Sequence, residues 1–119
     1  MVNFFKGFLY AYNGIVVFFR HERNGRIQLV VAALVAILAF SLQVSALDWI
    51  ILLVCVGAVL SFEMINSAIE KLCNLVHPKY HPAVKVIKDI SAGAVLWVSV
   101  SSGIIGVIIF LPKIQHLFK

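Results

Sequence analysis

Apolar residues along the chain fall into three long runs separated by short polar breaks. The first run, residues 27–47, carries Gln28 and Gln43 near its ends and matches the roughly 20 residues that a helix needs to cross a bilayer. The second, residues 49–76, opens at Trp49, stays apolar to Phe62 and continues in helical periodicity through Glu63, Asn66 and Glu70. The third, residues 90–111, stops at Pro112 and carries Gly93, Ser99, Ser102, Gly103 and Gly106, small residues that let membrane helices approach closely. Ahead of them, a helix over residues 1–20 places Asn3, Lys6, Tyr10 and Asn13 within about 80° of one another, while Phe4, Phe5, Phe8, Ile15 and Phe19 cover much of the rest. That pattern suits a helix lying in a membrane interface. The expected fold is an all-α membrane protein with an N-terminal amphipathic surface helix and three transmembrane helices.

Composition turns this pattern into a choice of solvent. Of 119 residues, 62% are hydrophobic and 13% charged, and the mean hydropathy is +1.03. Water-soluble domains carry about 25% charged residues, so lipid is the expected surroundings. Ten Lys and Arg against five Asp and Glu leave a net charge of +5. Such an excess fits nucleic acid or an anionic membrane surface, and the hydropathy selects the membrane. Basic residues in short flanks stay on the cytoplasmic side. Lys6, Arg20, Arg23 and Arg26 precede the first span, Lys71, Lys79, Lys85 and Lys88 lie between the second and third, and the 43–48 turn has none. The N-terminus is therefore expected inside and the C-terminus outside. A secretory signal ending at Val44-Ser45-Ala46 is the rival reading of the first 46 residues; the apolar run is long for one. Cys55 and Cys73 have neither repeated spacing nor His pairing, and are read as packing residues.

Acidic residues carry the most chemical information, because carboxylates in or near hydrocarbon are costly and usually functional. Two of the five acids, Glu63 and Glu70, lie on the second span, and Asp89 opens the third. Glu63, Asn66, Glu70 and Asn74 fall at i, i+3, i+7 and i+11, one polar stripe within an arc of about 80°. Counted from Trp49, Glu63 lies about 21 Å along the helix, past the middle of a core roughly 30 Å thick. Near the cytoplasmic end of the stripe come the proline-stiffened loop His77-Pro78-Lys79-Tyr80-His81-Pro82, then Lys85, Lys88 and Asp89. Glu22, flanked by Arg20, Arg23 and Arg26, approaches from the other side of the fold. Hard oxygen ligands and cations at one membrane surface suit a magnesium-bound polyphosphate better than a soft metal. The sequence has neither a GxxxxGK[ST] loop nor a kinase glycine loop, so a nucleotide site must be built another way. Taken singly, Glu70 and Lys71 also read as interfacial residues, Lys88 as a snorkelling cation, and His77 and His81 as loop residues without ligand duties.

The segment Glu63-Met64-Ile65-Asn66-Ser67-Ala68-Ile69-Glu70 resembles the signature of the small integral-membrane prokaryotic lipid kinases, the diacylglycerol kinase and undecaprenol kinase family. The resemblance extends to Glu22-Arg23-Asn24, to Tyr80-His81-Pro82, and to Lys88-Asp89 leading into Ser91-Ala92-Gly93-Ala94-Val95-Leu96. The Glu-Arg-Asn and Lys-Asp-x-x-Ala-Gly-Ala-Val patterns look more like the undecaprenol kinase branch. The resemblance implies a homotrimer of three-span protomers, in the bacterial inner membrane, with active sites shared between subunits on the cytoplasmic side. It implies that Glu63 is the base toward the lipid hydroxyl, with Asn66 near the reacting groups. Glu22 and Glu70 would hold Mg2+ with ATP, the co-substrate. Lys88 and Asp89 would contact the nucleotide, whose site Tyr10, Lys79, Tyr80 and His81 line. Two positions depart from the family pattern: Asn74 stands where an Asp is usual, and Gln28 where a His is common.

The expected function is ATP-dependent phosphorylation of a membrane lipid hydroxyl, undecaprenol ahead of diacylglycerol, by one lipid kinase domain spanning 1–119, with no nucleic-acid partner. Two other classes compete. A small transporter or channel subunit would use Glu63 and Glu70 in an ion path, although transporters typically show internal repeats and a midplane site. A catalytically silent relative would find its support in Asn74.

Overall fold

The structure, a computed structural model, describes residues 2–119; Met1, the first residue of the expected surface helix, lies outside them. Four helices follow in order: α1 (Val2–His21), α2 (Arg23–Ser41), α3 (Ala46–Val76) and α4 (Pro82–Leu117). Three of them, α2, α3 and α4, are long and apolar enough to cross a membrane. With 31 and 36 residues, α3 and α4 extend about 46 and 54 Å. They pack antiparallel as a long hairpin, α2 lies against α3, and α1 packs on α2. The apolar exterior that results, from Val30 and Leu34 on α2 to Leu53 and Val54 on α3 and Ile104 and Ile108 on α4, suits hydrocarbon rather than water.

Local chemistry sets the helix ends. Ser45 caps α3, its Oγ accepting from the Asp48 N–H at 3.1 Å. His81 caps α4 through Nδ1, which accepts from the Ala83 N–H at 3.0 Å, with Pro82 at the first helical position where no N–H is needed. At the α1–α2 junction the Arg26 guanidinium donates to the carbonyls of Phe19 and Arg20 at 3.0 and 2.9 Å, satisfying acceptors that the end of α1 leaves open.

Five helix ends differ from the expected spans; α2 and α3 begin early, at Arg23 and Ala46 rather than at residues 27 and 49. The first span ends at Ser41 rather than at residue 47, because Gln43 takes a left-handed φ of 53° and turns the chain into the cap of α3. The helix that carries the third span begins at Pro82, its capped start running through Lys85, Lys88 and Asp89 before the apolar segment. It also continues through Pro112 to Leu117. A proline costs one backbone hydrogen bond and crowds the preceding turn, yet membrane helices tolerate it where neighbours support the chain. Here Lys113, the next residue, lies 3.9 Å from Asp48 on α3.

The hydrocarbon core gathers at the α2–α3 turn, where Ala39, Val44, Leu52, Ile109 and Phe110 pack together. From there an apolar groove of about 470 Å³, lined by α2, α3 and α4 through residues such as Val35, Val59 and Gly103, extends to Gln28 and Ser99. The opposite end of the bundle, beside the α3–α4 loop, carries the polar residues.

Phe18 is buried and its ring lies over Gly25, where an added Cβ would come 2.5 Å from Cε2. Gly25→Ala should therefore destabilise the protein by about 1–3 kcal/mol through overpacking, read as a lower unfolding midpoint in denaturant-titrated micelles. Adding Phe18→Leu should recover part of the loss, whereas simple additivity of the two changes would contradict this contact.

Candidate active site

The loop end of the bundle is organised around α3, whose apolar run gives way to Glu63-Met64-Ile65-Asn66-Ser67. Glu63 is only 7% exposed and Ser67 8%, so this helix face is turned into the protein. One turn farther on, Lys71 and Ser67 both hold Glu22, the residue that precedes α2. Lys71 Nζ donates to Glu22 Oε1 at 2.5 Å, Ser67 Oγ donates to the same oxygen at 2.7 Å, and Lys71 also donates to Ser67 Oγ at 3.1 Å. A second link joins α3 to α4: Ser91 Oγ, itself buried, donates to Asn66 Oδ1 at 2.7 Å. A third joins them closer to the loop, where Lys88 Nζ donates to Asn74 Oδ1 at 2.6 Å.

The expected site residues divide into two sets. Glu63 is buried on α3 one turn from Ser67, which holds Glu22, and Glu70 lies exposed farther along the same helix. Asn66 and Lys88 join the same end through the α3–α4 links. Asp89 instead pairs with Lys85 at 2.6 Å on its own helix, and both side chains are well exposed. Tyr10, Lys79 and Tyr80 are exposed, and among the described residues their side chains make no hydrogen bond to the carboxylates. His81 is engaged as the cap of α4, and its ring meets that of His77 edge to face with centroids 5.2 Å apart. Cys73 is buried and Cys55 half-buried, both unbridged, as packing residues.

The sequence pattern by itself does not mark Ser67, Lys71 and Ser91 as site residues. Ser67 and Lys71 follow Glu63 at i+4 and i+8, a second row beside the i+3/i+7 stripe. Ser91 carried no signal of its own, since serine in a membrane helix is usually a packing residue.

Hydrogen bonds from Lys71 and then Ser67, with the Lys71 and His21 charges behind them, hold the Glu22 carboxyl below its ordinary value, while partial burial opposes them. A magnesium ion would require hard oxygen donors, which Glu22 and Glu70 supply. Among the described residues no three His, Cys, Asp or Glu side chains gather to hold a metal ion. That donor set fits magnesium shared with phosphates, since the ion is usually bound by one or two carboxylates plus phosphate and water oxygens. The ammonium already seated on Glu22 shows that this carboxylate accepts a cation there.

The sequence profile of the prokaryotic diacylglycerol kinases matches residues 9–110. The chain belongs to that family and is by class a lipid kinase, which removes the transporter alternative. It is 41% identical to the undecaprenol kinase of Bacillus subtilis strain 168 over 111 residues, 93% of this chain and 90% of the relative. A diacylglycerol kinase of Synechocystis sp. PCC 6803 is 32% identical over 116 residues, 97% of this chain and 66% of the relative. That of Helicobacter pylori strain J99 is 31% identical over 93 residues, covering 77% and 72%.

Because the native Glu22 carboxyl is held below its unfolded value of 4.5, its contribution to stability is fully present above about pH 4.5 and is lost as the pH falls through the native value. Glu22→Gln should flatten this part of the acid limb when melting temperature in micelles is followed from pH 7 to 3. An acid limb identical to that of the wild type would contradict the role of this link.

Proposed function

We propose that the chain is an ATP-dependent, magnesium-requiring kinase that transfers the γ-phosphate to the hydroxyl of a membrane lipid, undecaprenol in preference to diacylglycerol. The observation that carries this reading is the position of buried Glu63 one helical turn from the Glu22–Ser67–Lys71 cluster. A carboxylate on the hydrocarbon side and a charged cluster on the polar side thus share one helix face, where a lipid alcohol and a nucleotide would meet. The preference for undecaprenol rests on the higher identity to the Bacillus subtilis enzyme.

In this mechanism Glu63 accepts the proton of the lipid hydroxyl, and Asn66, held by Ser91, orients the reacting groups. Phosphoryl transfer needs little covalent help, so positioning and charge neutralisation supply most of the catalysis. Lys88 meets the nucleotide phosphates, with Asp89 beside it. Glu22 and Glu70 would hold magnesium, which would supply neutralisation of phosphate charge. Tyr10, Lys79, Tyr80 and His81 line the nucleotide side. A homotrimer with sites shared between neighbours gives the exposed members of that set a site to complete. Residues 1–119 act as one catalytic unit, with the N-terminus and the active site on the cytoplasmic side of the bacterial inner membrane, the C-terminus outside, and α1 lying in the inner interface.

The Asn74 substitution is compatible with activity. Its neutral amide holds Lys88 at 2.6 Å without cancelling the ammonium charge, so Lys88 remains able to attract phosphate. A carboxylate in its place would compete with the nucleotide for Lys88. Asn74→Asp should therefore raise the KM for ATP by up to about fivefold, the size of an exposed ion pair, with kcat largely kept. Phosphoryl transfer that is absent in the wild type and appears in Asn74→Asp would mark a silenced relative.

The function itself is tested by offering undecaprenol and diacylglycerol separately in mixed micelles with γ-labelled ATP and magnesium. Label should enter both lipids, with undecaprenol giving the higher kcat/KM. Transfer to neither would refute the kinase reading, and higher kcat/KM on diacylglycerol would reverse the preference.

A further inference from the structure

The Glu22–Ser67–Lys71 cluster has a consequence for how a cation reaches the site. Glu22 Oε1 receives two hydrogen bonds, and one donor is a full positive charge at 2.5 Å. The two donors differ in how firmly they are placed. Ser67 is 8% exposed on the buried face of α3, with a short side chain fixed by that helix. The Lys71 side chain is 59% exposed, twice the 29% of Glu22, and its ammonium sits at the end of a flexible four-carbon stem. Ser67 is therefore a permanent partner of the carboxylate and Lys71 a removable one.

We propose that Lys71 is a displaceable counter-ion: its ammonium stands on Glu22 where a divalent cation would otherwise bind, so the cation gains Glu22 only when Lys71 leaves it. This rests on the reading of Glu22 as a metal ligand. A divalent cation and an ammonium cannot share one carboxylate oxygen at hydrogen-bonding distance without strong repulsion. Nucleotide phosphates offer Lys71 a second anionic partner within the sweep of its side chain. Entry of the nucleotide thus frees Glu22 for the cation that accompanies the phosphates. Without nucleotide the carboxylate keeps its own lysine and holds divalent ions weakly. Lys71 is a positioning residue in this scheme, acting through Glu22. No other lysine or arginine among the described residues bonds to Glu22.

The test uses the full-length protein in micelles without nucleotide, and Mn2+ as the probe, with free ion followed by electron paramagnetic resonance. Lys71→Met should bind Mn2+ about fivefold more tightly than the wild type, the equivalent of losing one partly exposed ion pair. Lys71→Arg should restore the weak wild-type binding, since it retains the charge and the donor. Adding Glu22→Gln to Lys71→Met should abolish the gain. Unchanged or weaker Mn2+ binding in Lys71→Met, or a gain that survives Glu22→Gln, would overturn the proposal. Wild-type and Lys71→Met transfer of γ-phosphate to lipid is measured in parallel. Active wild type with no Mn2+ gain in the variant refutes the counter-ion role alone, whereas inactive wild type refutes the kinase reading whatever the Mn2+ titration gives.

Discussion

A carboxylate can be placed along a membrane helix only where neighbouring groups replace the water it has lost. Helix α3 carries two such groups, the buried Glu63 and the exposed Glu70, and the hydrogen bonds of the loop end form beside them on the same helix. Glu63 is turned inward, and the adjacent Ser67 and Lys71 reach across to Glu22 at the start of α2. On the other side of α3, Asn66 is tied to Ser91 and Asn74 to Lys88 of α4. Every hydrogen bond between side chains of different elements among the described residues has one partner on α3 and lies at this end of the bundle.

The opposite end needs no such arrangement. Ala39, Leu52, Ile109 and Phe110 pack there as hydrocarbon, and one ion pair between Asp48 and Lys113 spans α3 and α4 at the polar boundary. The protein is thus divided along its length: apolar packing holds the helices together at one end, and the other is left to polar chemistry. Side-chain hydrogen bonds between membrane helices contribute on average about 0.6 kcal/mol each. The loop-end contacts therefore position groups more than they hold the fold together, which suits residues whose partners change when a substrate arrives.

Hydropathy and spacing made much of this legible. Three spans, a separate N-terminal helix and the stripe of Glu63, Asn66 and Glu70 all follow from periodicities that depend on residue type alone. Helix ends were less legible because they turn on single backbone choices. Gln43 adopts a left-handed φ that its residue type does not announce, and Pro112 stays inside α4 when its usual effect is to end a helix. Partner selection was the least legible. Lys71 resembles any interfacial lysine until α2 brings Glu22 beside it, and Ser91 resembles a packing serine until α3 and α4 settle their register. The meeting of Glu22 with α3 depends on contacts 45 and 49 residues apart along the chain, which no local pattern encodes.

Glu63 is where the hydrocarbon and polar halves of this arrangement join, and its proposed chemistry can be measured in a single turnover. Enzyme in excess of γ-labelled ATP is mixed with undecaprenol micelles, and label on the lipid is followed for wild type and Glu63→Gln, with nucleotide affinity measured separately. A general base contributes about 10²- to 10⁴-fold, so transfer in the variant should slow by that factor while ATP binds as before. A Glu63→Gln enzyme that transfers phosphate at the wild-type rate would contradict the role of the buried carboxylate.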